Sequence, residues 1–525
     1  MKKVTIYVAH PQAFSILTFL NISHRLVHTK MALRKNSVPR AVVVIALLFI
    51  GACAVQESEY NGYAQPGTWI ESDWSGGQYE SALQIEIEAS PGEMLLAQDV
   101  SSPLLIFSDT AQTGIHELEV FQGKLYIAAA TDPGWVDGGD VLSYDYATDS
   151  FQYEYSVEEQ GILKMHAHEG KLYIPGLDPI GSPPFGNLYI YDGDKWVKKE
   201  TVPEAVYVFD MNFYQGKIFV TTGSYDPVAG KYHGNLLESN DEGDTWNEVF
   251  RVEPLPPYNV NFRRLLFMCN YNDKLYIQSD CGQPEGEVIF TYDGDTVDAI
   301  PLSPQYLYPG GAYAVLLEFD GKFFFLNLGH LHIYDGQNWE YVPLFLGGDI
   351  DPKRLTAYNG WLYAGSEYGV IFSSKDGKNW EQIGQVPEVV DETGAFESWH
   401  GRLYIGTRGK EALLFVSASA DSGELISKVH DFETYIQEGT IAWDALLPPG
   451  TSVRVQLRSA NFPGWINDRP FIGPDGTTDS FYQNSGQSLS RAHSGQRFIQ
   501  YRVLLGTDDP GLSPILEEVI IKINP

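Results

Sequence analysis

Charged residues that could do chemistry recur at one position of a repeated sequence pattern. A turn motif typified by GKLYI occurs seven times, and its copies begin at Gly123, Gly170, Gly216, Asp273, Gly321, Gly360 and Gly401. The residues six places before these starts are Glu117, Lys164, Asp210, Phe267, Val315, Arg354 and Ala395. Four of these seven are charged. Carboxylates, an amine and a guanidinium that meet in one cleft can perform acid–base chemistry or bind a polar ligand.

Histidines and one further arginine extend this charged set. His116, His166 and Arg264 are close in sequence to the repeated position, and Glu119 and Glu397 follow it by two residues. The residues that we predict to bind a ligand are Glu117, Lys164, Asp210, Arg354, His116, His166 and Arg264. The alternative is that opposite charges pair with one another, because an isolated charge away from water is costly. In neither case do we assign a catalytic residue.

The elements that must position these residues are β-hairpins. Each copy has a large apolar residue five places before the turn, a ring two places before it, and alternating apolar residues after it. Most copies continue into a second hairpin whose last strand opens on a tryptophan. Four short strands at a period of about 40–50 residues are typical of a β-propeller blade. The sequence therefore predicts an all-β protein with a seven-bladed β-propeller over residues 110–420. Such a propeller brings the charged set to the mouth of its central channel.

One turn matches a known motif. Ser239–Trp246 reads S-x-D-x-G-x-T-W and resembles the Asp-box of bacterial neuraminidase repeats, and Ser373–Trp380 is a looser copy. The resemblance, which extends to kelch-like propellers, implies a fold element between the third and fourth strands, where Ser and Asp satisfy backbone donors. It does not imply neuraminidase activity. A sialidase-like site would need three clamping arginines, for which Arg264, Arg354 and Arg408 are candidates, but the R-I-P motif of that family is absent.

The composition shifts at Asp421 to a second strand-rich segment. Its alternating strands and turn signals predict a β-sandwich, jelly-roll-like, over residues 421–525. The runs G-T-I-x-W at Gly439–Trp443 and P-x-G-T-x-V-x-V-Q-x-R-S at Pro448–Ser459 resemble accessory modules of bacterial surface proteins with a galactose-binding-like fold. The resemblance implies either a sugar-binding module or a spacer.

The last repeat lacks a fourth strand that opens on a tryptophan. Many propellers complete the last blade with a strand from the other end of the chain, and Pro103–Phe107 is the candidate here. We expect this segment to pair close to Leu413–Val416, because an unpaired strand edge is a liability in a soluble protein. Residues 54–109 are therefore predicted to be a polar tether that ends in a blade-closing strand.

Residues 1–53 are predicted to be a targeting segment and not part of the fold. A basic stretch after Met31, the apolar run Ala41–Ile50 and the sequence Gly51-Ala52-Cys53 resemble a bacterial lipobox. The resemblance implies a lipoprotein with a lipidated Cys53 and with Met31 as the true start. The protein is then exported and lipid-anchored to a bacterial membrane, either the outer membrane or the cell surface. The alternative is a signal peptide that is cleaved elsewhere, near a chance cysteine.

Three long connections in consecutive repeats form a second candidate contact surface. They span Ala129–Asp140, Pro175–Asn187 and Gly223–Asn235 and are rich in proline, glycine and aromatic residues. Exposed rings with acidic neighbours suit sugar or protein binding. The aromatic residues that we predict to bind a ligand there are Trp135, Tyr225 and Tyr232. The alternative is that these loops pack on one another.

Composition narrows the class of partner. The net charge of −33 at pH 7 repels nucleic acid and anionic membrane surfaces, so we expect membrane contact only through the lipid anchor. Asp132, Asp137 and Asp140 carry oxygens of the kind that calcium prefers, but they lack the spacing of an EF-hand, so no cofactor is predicted. We predict a surface-anchored protein that binds a glycan or an extracellular protein. The alternatives are an extracellular glycoside hydrolase or polysaccharide lyase, and a scaffold without a ligand.

Overall fold

The chain forms two units, Met1–Tyr63 and Ala64–Pro525. A computed structural model describes residues 4–10, 13–19, 67–130, 138–178, 185–226, 231–252, 263–281, 288–302, 314–327, 329–344, 352–388 and 390–524. In the first unit, strands Val4–His10 and Ala13–Phe19 pair antiparallel. The predicted apolar run Ala41–Ile50 and Cys53 lie outside the described residues. Within the described ranges, no helix is long and apolar enough to cross a membrane.

Seven four-stranded antiparallel blades, counted over the described residues, occupy most of the second unit. Their strands are named A to D in order of pairing. Blade 1 consists of Gly114–Phe121, Lys124–Ala130, Gly139–Asp145 and Ser150–Val157. Blade 2 consists of His166–His168, Lys171–Pro175, Phe185–Tyr191 and Trp196–Pro203. Blade 3 consists of Ala205–Tyr214, Lys217–Asp226, Lys231–Ser239 and Asn247–Val252. Blade 4 consists of Arg263–Tyr271, Lys274–Cys281, Val288–Tyr292 and Val297–Pro301.

The remaining blades repeat this order. Blade 5 consists of Val315–Phe319, Lys322–Asn327, His330–Tyr334 and Trp339–Pro343. Blade 6 consists of Pro352–Tyr358, Trp361–Ser366, Val370–Ser374 and Glu381–Gln385. Blade 7 consists of Glu392–Trp399, Arg402–Arg408, Ala412–Ser419 and, from far upstream in the chain, Gln98–Asp109. The predicted all-β propeller fold is confirmed.

The blades form a closed ring. Their A strands contact one another in succession from blade 1 to blade 7, and the A strand of blade 7 contacts that of blade 1. Apolar clusters fill the spaces between neighbouring blades. Met165 belongs to a cluster shared by blades 1 and 2, and Met211 to a cluster shared by blades 2 and 3. These are positions five places before the turn, so the constant apolar residue of the repeat is the one that packs blade against blade.

The predicted closing strand is present. Leu104 pairs with Val416 and Phe107 with Leu414, and the ladder continues to Asp109 opposite Ala412. This pairing confirms that the segment around Pro103–Phe107 completes blade 7. It also satisfies backbone groups that would otherwise form an open sheet edge.

A β-sandwich follows the propeller. Its first sheet contains, in order of pairing, Thr68–Glu71, Ile515–Asn524, Glu438–Leu446 and Gln487–Ser488. Its second sheet contains His430–Asp431, Phe498–Thr507, Ser422–Ser427 and Tyr79–Leu83, with Thr451–Ala460 also pairing to Phe498–Thr507. Shorter elements are the paired strands Ile85–Glu86 and Leu95–Leu96 and the 3-10 helices Ser75–Gly77, Pro463–Asp468 and Arg491–His493. One apolar cluster is shared by both sheets.

The expected tether is wrong for residues 67–83. Thr68–Glu71 and Tyr79–Leu83 each add a strand to one sheet of the sandwich. Trp74, between them, is 1% exposed, and its indole N–H donates to the Tyr501 hydroxyl at 2.7 Å. The sandwich therefore begins upstream of the propeller and is not confined to residues 421–525. Both strands lie at sheet edges, where Thr68–Glu71 is half-buried and Tyr79–Leu83 is largely exposed, so they need few apolar residues, and their polar composition resembles that of a linker.

Candidate functional site

A β-bulge precedes most of the repeated charged positions. In five of the blades as described, strand A carries an extra residue relative to strand B, as between Ile115 and Glu117 or between Val208 and Asp210. A bulge bends a strand and changes the direction of the side chains that follow it. Glu117, Asp210 and Arg354 each come directly after such a bulge. Apolar alternation alone does not reveal this feature.

The repeated positions converge on one small cavity in the centre of the ring. The cavity has a volume of about 80 Å³ and is lined by six of the seven repeated positions. These are Glu117, Lys164, Phe267, Val315, Arg354 and Ala395. The seventh, Asp210, is 1% exposed and binds residues on both neighbouring blades. The sequence period therefore located this set correctly in space.

Most of the charges in this set are paired across blade boundaries. The Lys164 ammonium is 3.0 Å from the Glu117 carboxylate, which joins blades 1 and 2. His166 Nε2 is 2.7 Å from Asp210 Oδ1, which joins blades 2 and 3. Asp210 Oδ2 also accepts the Met268 N–H at 2.8 Å, which joins blades 3 and 4. This geometry is that of the pairing alternative, in which the charges hold the ring together.

The pairing also favours the protonated form of both bases. Burial lowers the pKa of Lys164, but the Glu117 and Asp210 carboxylates raise it above its ordinary value. Burial likewise lowers the pKa of His166, and its ion pair with Asp210 outweighs this, so that the pKa lies above that of a free histidine. Both shifts oppose a role as a general base.

Arg354 makes a different kind of link. Its Nε donates to the carbonyl of Gly394 on the bulge of blade 7, and its Nη1 donates to the Lys353 carbonyl at 3.0 Å. Beside it, Arg408 Nη1 is 2.5 Å from Glu392 Oε1. Burial, and then the charges of Arg408 and Arg354, hold the pKa of His116 well below its usual range. His116 is thus a buried neutral ring at this end of the channel.

Arg264 lies against an aromatic pair of blade 3. Its guanidinium is 5.1 Å from the centre of the Phe209 ring, and Phe209 stacks on Tyr207 at 5.3 Å. Phe185, at the start of strand C of blade 2, is 43% exposed. The side of the ring formed by blades 2 to 4 therefore combines aromatic rings with a cation.

Two acids that follow the repeated position by two residues have perturbed ionisation. Glu119 accepts the Ala167 N–H at 3.0 Å, and burial raises its pKa. Burial, and then the charge of Glu119, raise the pKa of Glu397 to about 8. Their position on the same face of strand A was visible in the sequence. Their mutual repulsion requires that blades 7 and 1 be adjacent, which only ring closure brings about.

The sequence analysis did not recognise the role of the ring two places before each turn. Tyr214, Tyr271 and Tyr358 donate their hydroxyls to turn carbonyls of the next blade, at 2.6, 2.9 and 2.7 Å. The recurrence of a ring at this position was the available signal. A phenol serves there because it packs as an aromatic and also satisfies a carbonyl.

The predicted loop residues fall partly outside the described chain. Trp135 lies outside it, as do Asp132 and Asp137 of the considered calcium set. Tyr225 and Tyr232 were expected in a loop. They lie instead in strands B and C of blade 3, where they are directly opposite each other. The hairpin is longer than the proline and glycine content of this segment indicated. Asp140 accepts from the Gln112 side chain at 2.6 Å. Among the described residues, no group of three or more potential metal ligands exists.

The turn that resembles an Asp-box has a structural role. Ser239 Oγ accepts the Gly243 N–H at 2.8 Å, and Asp241 accepts the Thr245 N–H at 2.9 Å. Hydrogen bonds from Thr245, followed by one from Ser239, lower the pKa of Asp241 to about 2. In the looser copy, Ser374 and not Ser373 takes the serine position. Both turns join strands C and D, as the resemblance implies.

These features define a β-propeller protein with a docked β-sandwich. No known protein family matches the sequence, and no curated protein matches it. Similar solved structures include the WD40 β-propeller domain of Doa1, with 11% identity over 60% of this chain and 96% of that chain, at a TM-score of 0.41. Another is the extracellular domain of the putative hybrid two component system BT4673 from B. thetaiotaomicron, with 8% identity over 78% of this chain and 61% of that chain, at a TM-score of 0.46. Because these identities and TM-scores are low, the fold is assigned from the strand pairing described above.

Proposed function

We propose that this protein is an exported, lipid-anchored binding protein that recognises a glycan or a protein partner at the mouth of the propeller channel. The observation that supports this proposal is the exposed Phe185 ring on the side of the propeller that also carries the Arg264 cation. Lys164 with Glu117 and His166 with Asp210 form a rigid polar rim. A rigid rim favours binding, since little side-chain freedom is lost when a partner docks.

The size of the cavity favours recognition over catalysis. The cavity between the charged side chains has a volume of about 80 Å³. Ligand pockets usually enclose about 300 Å³ or more. A volume this small favours contact with a ligand at the rim over enclosure of a sugar ring between these acids and bases.

A glycan is the first choice of ligand. Arg264 lies over the buried Phe209 ring, which stacks on the partly buried Tyr207, and Phe185 presents an exposed ring on the neighbouring blade. Aromatic faces beside polar groups suit partners that present both apolar C–H surfaces and hydroxyls. A protein partner that inserts a side chain at the same rim is the alternative.

The test is a glycan array and a protein-capture screen with the fragment Ala54–Pro525, which contains the whole second unit. Phe185→Ala should reduce the signal while the melting temperature changes little, and Arg264→Ala should reduce the signal as well. Phe462→Ala is the matched control, because Phe462 is an exposed aromatic of the sandwich, 56% exposed. Equal binding by the rim variants and wild type would place recognition elsewhere, and absence of any ligand would favour a scaffold.

A hydrolase or lyase is the second candidate, and Glu397 is the observation that favours it. A carboxyl whose pKa is raised to about 8 holds its proton at neutral pH, as a general acid must. Glu119, on the adjacent blade, is the second carboxyl of such a pair. Release of reducing sugar from a panel of polysaccharides, abolished in Glu397→Gln, would establish this function. Activity that survives in Glu397→Gln would remove it.

A further inference from the structure

A groove on the sandwich is a candidate binding site separate from the propeller. It has a volume of about 480 Å³ and lies on the first sheet, with Ile436 and Leu489 of the shared apolar cluster at its base. Its polar lining includes Glu438, Thr440, Ser488, Arg491, Ser494 and Lys522. This volume is within the range of pockets that hold small ligands.

The strand pairing explains why these residues share one surface. Thr440 is directly opposite Lys522 on one side and Ser488 on the other, and Glu438 is opposite Asn524. Residues directly opposite each other project from the same face of a sheet, and so do alternate residues of one strand. Ile441 and Ile521, at the intervening positions, are 0% exposed. The polar residues therefore project from the outer face.

The second wall of the groove is held in place at both ends. The Leu489 N–H donates to the Gly439 carbonyl at 2.8 Å, and the Gly495 N–H donates to the Ile436 carbonyl at 2.7 Å. Between them, the His493 side chain is 1% exposed, with Nδ1 2.8 Å from the Ser459 hydroxyl. Because the backbone of this segment is fixed, a ligand in the groove does not have to order it, which reduces the cost of binding.

The charges of the groove are available to a ligand. Arg491, Lys522 and Glu438 are exposed, and within the described ranges none of them forms an ion pair. Two cations here stand out in a chain of net charge −33. They offer electrostatic stabilisation to an anionic group, and the guanidinium adds paired donors that match a carboxylate or a sulfate.

We propose that this groove binds an acidic saccharide, a glycan that carries a carboxylate or sulfate group. The anion is held between Arg491 and Lys522. The Glu438 carboxylate can only accept hydrogen bonds, so it favours a ligand that donates them. Sugar hydroxyls donate to this carboxylate and can also exchange hydrogen bonds with the hydroxyls of Thr440 and Ser488. An acidic peptide presents anions but few side-chain donors. The proposal does not depend on recognition at the propeller mouth.

The test is calorimetric titration of Ala54–Pro525 with three probes: a galacturonate oligosaccharide, a sulfated galactose oligosaccharide and a neutral galactose oligosaccharide. Binding of the uronate or the sulfated probe, with little binding of the neutral one, is the expected result. The acidic probe that binds more tightly shows whether the groove prefers a carboxylate or a sulfate. The affinity should fall as salt is added, because the contact is ionic and exposed.

Variants locate the site. The double variant Arg491→Ala with Lys522→Ala should weaken binding of the acidic probe by about tenfold or more, whereas Arg469→Ala, an exposed arginine outside the groove, should leave it unchanged. Both changes are on exposed side chains, so the melting temperature should be unaffected. Absence of binding by either acidic probe, equal affinity of the double variant, or tighter binding of a polyglutamate peptide would each overturn the proposal.

Discussion

The phenol of Tyr146 exchanges two hydrogen bonds with the backbone of Ser513. Its hydroxyl donates to the Ser513 carbonyl at 2.7 Å and accepts the Ser513 N–H at 2.9 Å. Tyr146 follows strand C of blade 1, and Ser513 lies two residues before the last strand of the sandwich. The buried Arg402 supports the same junction by donating to the carbonyls of Gly511 and Ser417. The sandwich is therefore docked on the seam between blades 7 and 1 and is not a freely hinged module.

Tyr146→Phe should destabilise the whole second unit. The change leaves the backbone N–H and carbonyl of Ser513 without this partner in a buried place, at a cost of about 1–3 kcal/mol. A lower melting temperature in calorimetry is the expected result. Tyr153→Phe is the control, because Tyr153 is 58% exposed. Equal melting temperatures for Tyr146→Phe and wild type would show that the junction contributes nothing to stability.

Replacing Gln98–Asp109 by a glycine–serine linker of equal length should open the propeller. The linker preserves the chain connection but lacks side chains that pack against Ala412–Ser419. Blade 7 then has an exposed edge, and we expect aggregation and a broad unfolding transition. Leu105→Ser, at a position 42% exposed, is the control within the strand. A soluble, cooperatively folding linker variant would contradict the closing role.

The Lys164–Glu117 pair should behave as a coupled unit. Lys164→Met leaves the Glu117 carboxylate without its partner, and Glu117→Gln leaves the ammonium near Asp210 alone. The losses in unfolding free energy of the two single variants should therefore add up to more than the loss in the double variant. The coupling expected from urea unfolding is about 0.5–3 kcal/mol. Additive effects would show that the ion pair does not contribute to the stability of the protein.

The Arg354→Ala variant tests whether Arg354 stabilises the ring of blades, contacts a ligand at the channel, or does both. The variant loses the bond to the Gly394 carbonyl that joins blades 6 and 7, so we expect a lower melting temperature. If Arg354 also contacts the ligand of the propeller, binding of that ligand weakens as well. Unchanged binding together with a large drop in melting temperature would restrict Arg354 to holding the ring.

His332 should make the propeller sensitive to acid. It is 1% exposed, and within the described chain neither ring nitrogen has a hydrogen-bond partner. Burial, and then the charge of His330, lower its pKa from 6.5 to about 4. As the pH falls through this interval the unfolded chain binds a proton that the folded protein excludes, so stability decreases.

The expected loss between pH 7 and pH 5 is on the order of 2 kcal/mol. His332→Phe, which keeps an aromatic ring beside Tyr341, should remove this part of the pH dependence. Urea unfolding at the two pH values measures it. The same difference in wild type and His332→Phe would show that His332 is not responsible.

Cys53→Ser should release the protein from the membrane. The thiol of Cys53 is the proposed site of lipidation, and acyl chains stabilise membrane binding by about 0.8 kcal/mol for each buried CH₂. Fractionation of cells that express the variant should show it in the soluble exported fraction. Retention in the membrane fraction at wild-type levels would refute the lipoprotein proposal.

Much of the fold could be predicted because a propeller is a periodic structure. The repeat period placed Glu117, Lys164 and Arg354 around one cavity, and the missing last strand directed attention to Pro103–Phe107. The strands at Thr68–Glu71 and Tyr79–Leu83 could not be predicted in this way. Their partners are hundreds of residues away, and as short edge strands they carry no sustained apolar alternation.

The sequence by itself determined the all-β class, the repeated blades and the set of charged side chains at their inner ends, because alternation, turn residues and spacing are local properties of the chain. Only the tertiary structure decided what that set does. Whether Lys164 meets Glu117, or His166 meets Asp210, depends on which blades are adjacent and on bulges that redirect strand A. The same holds for the groove of Arg491 and Lys522, since strands distant in the sequence become neighbours only when the two sheets bury their apolar faces together.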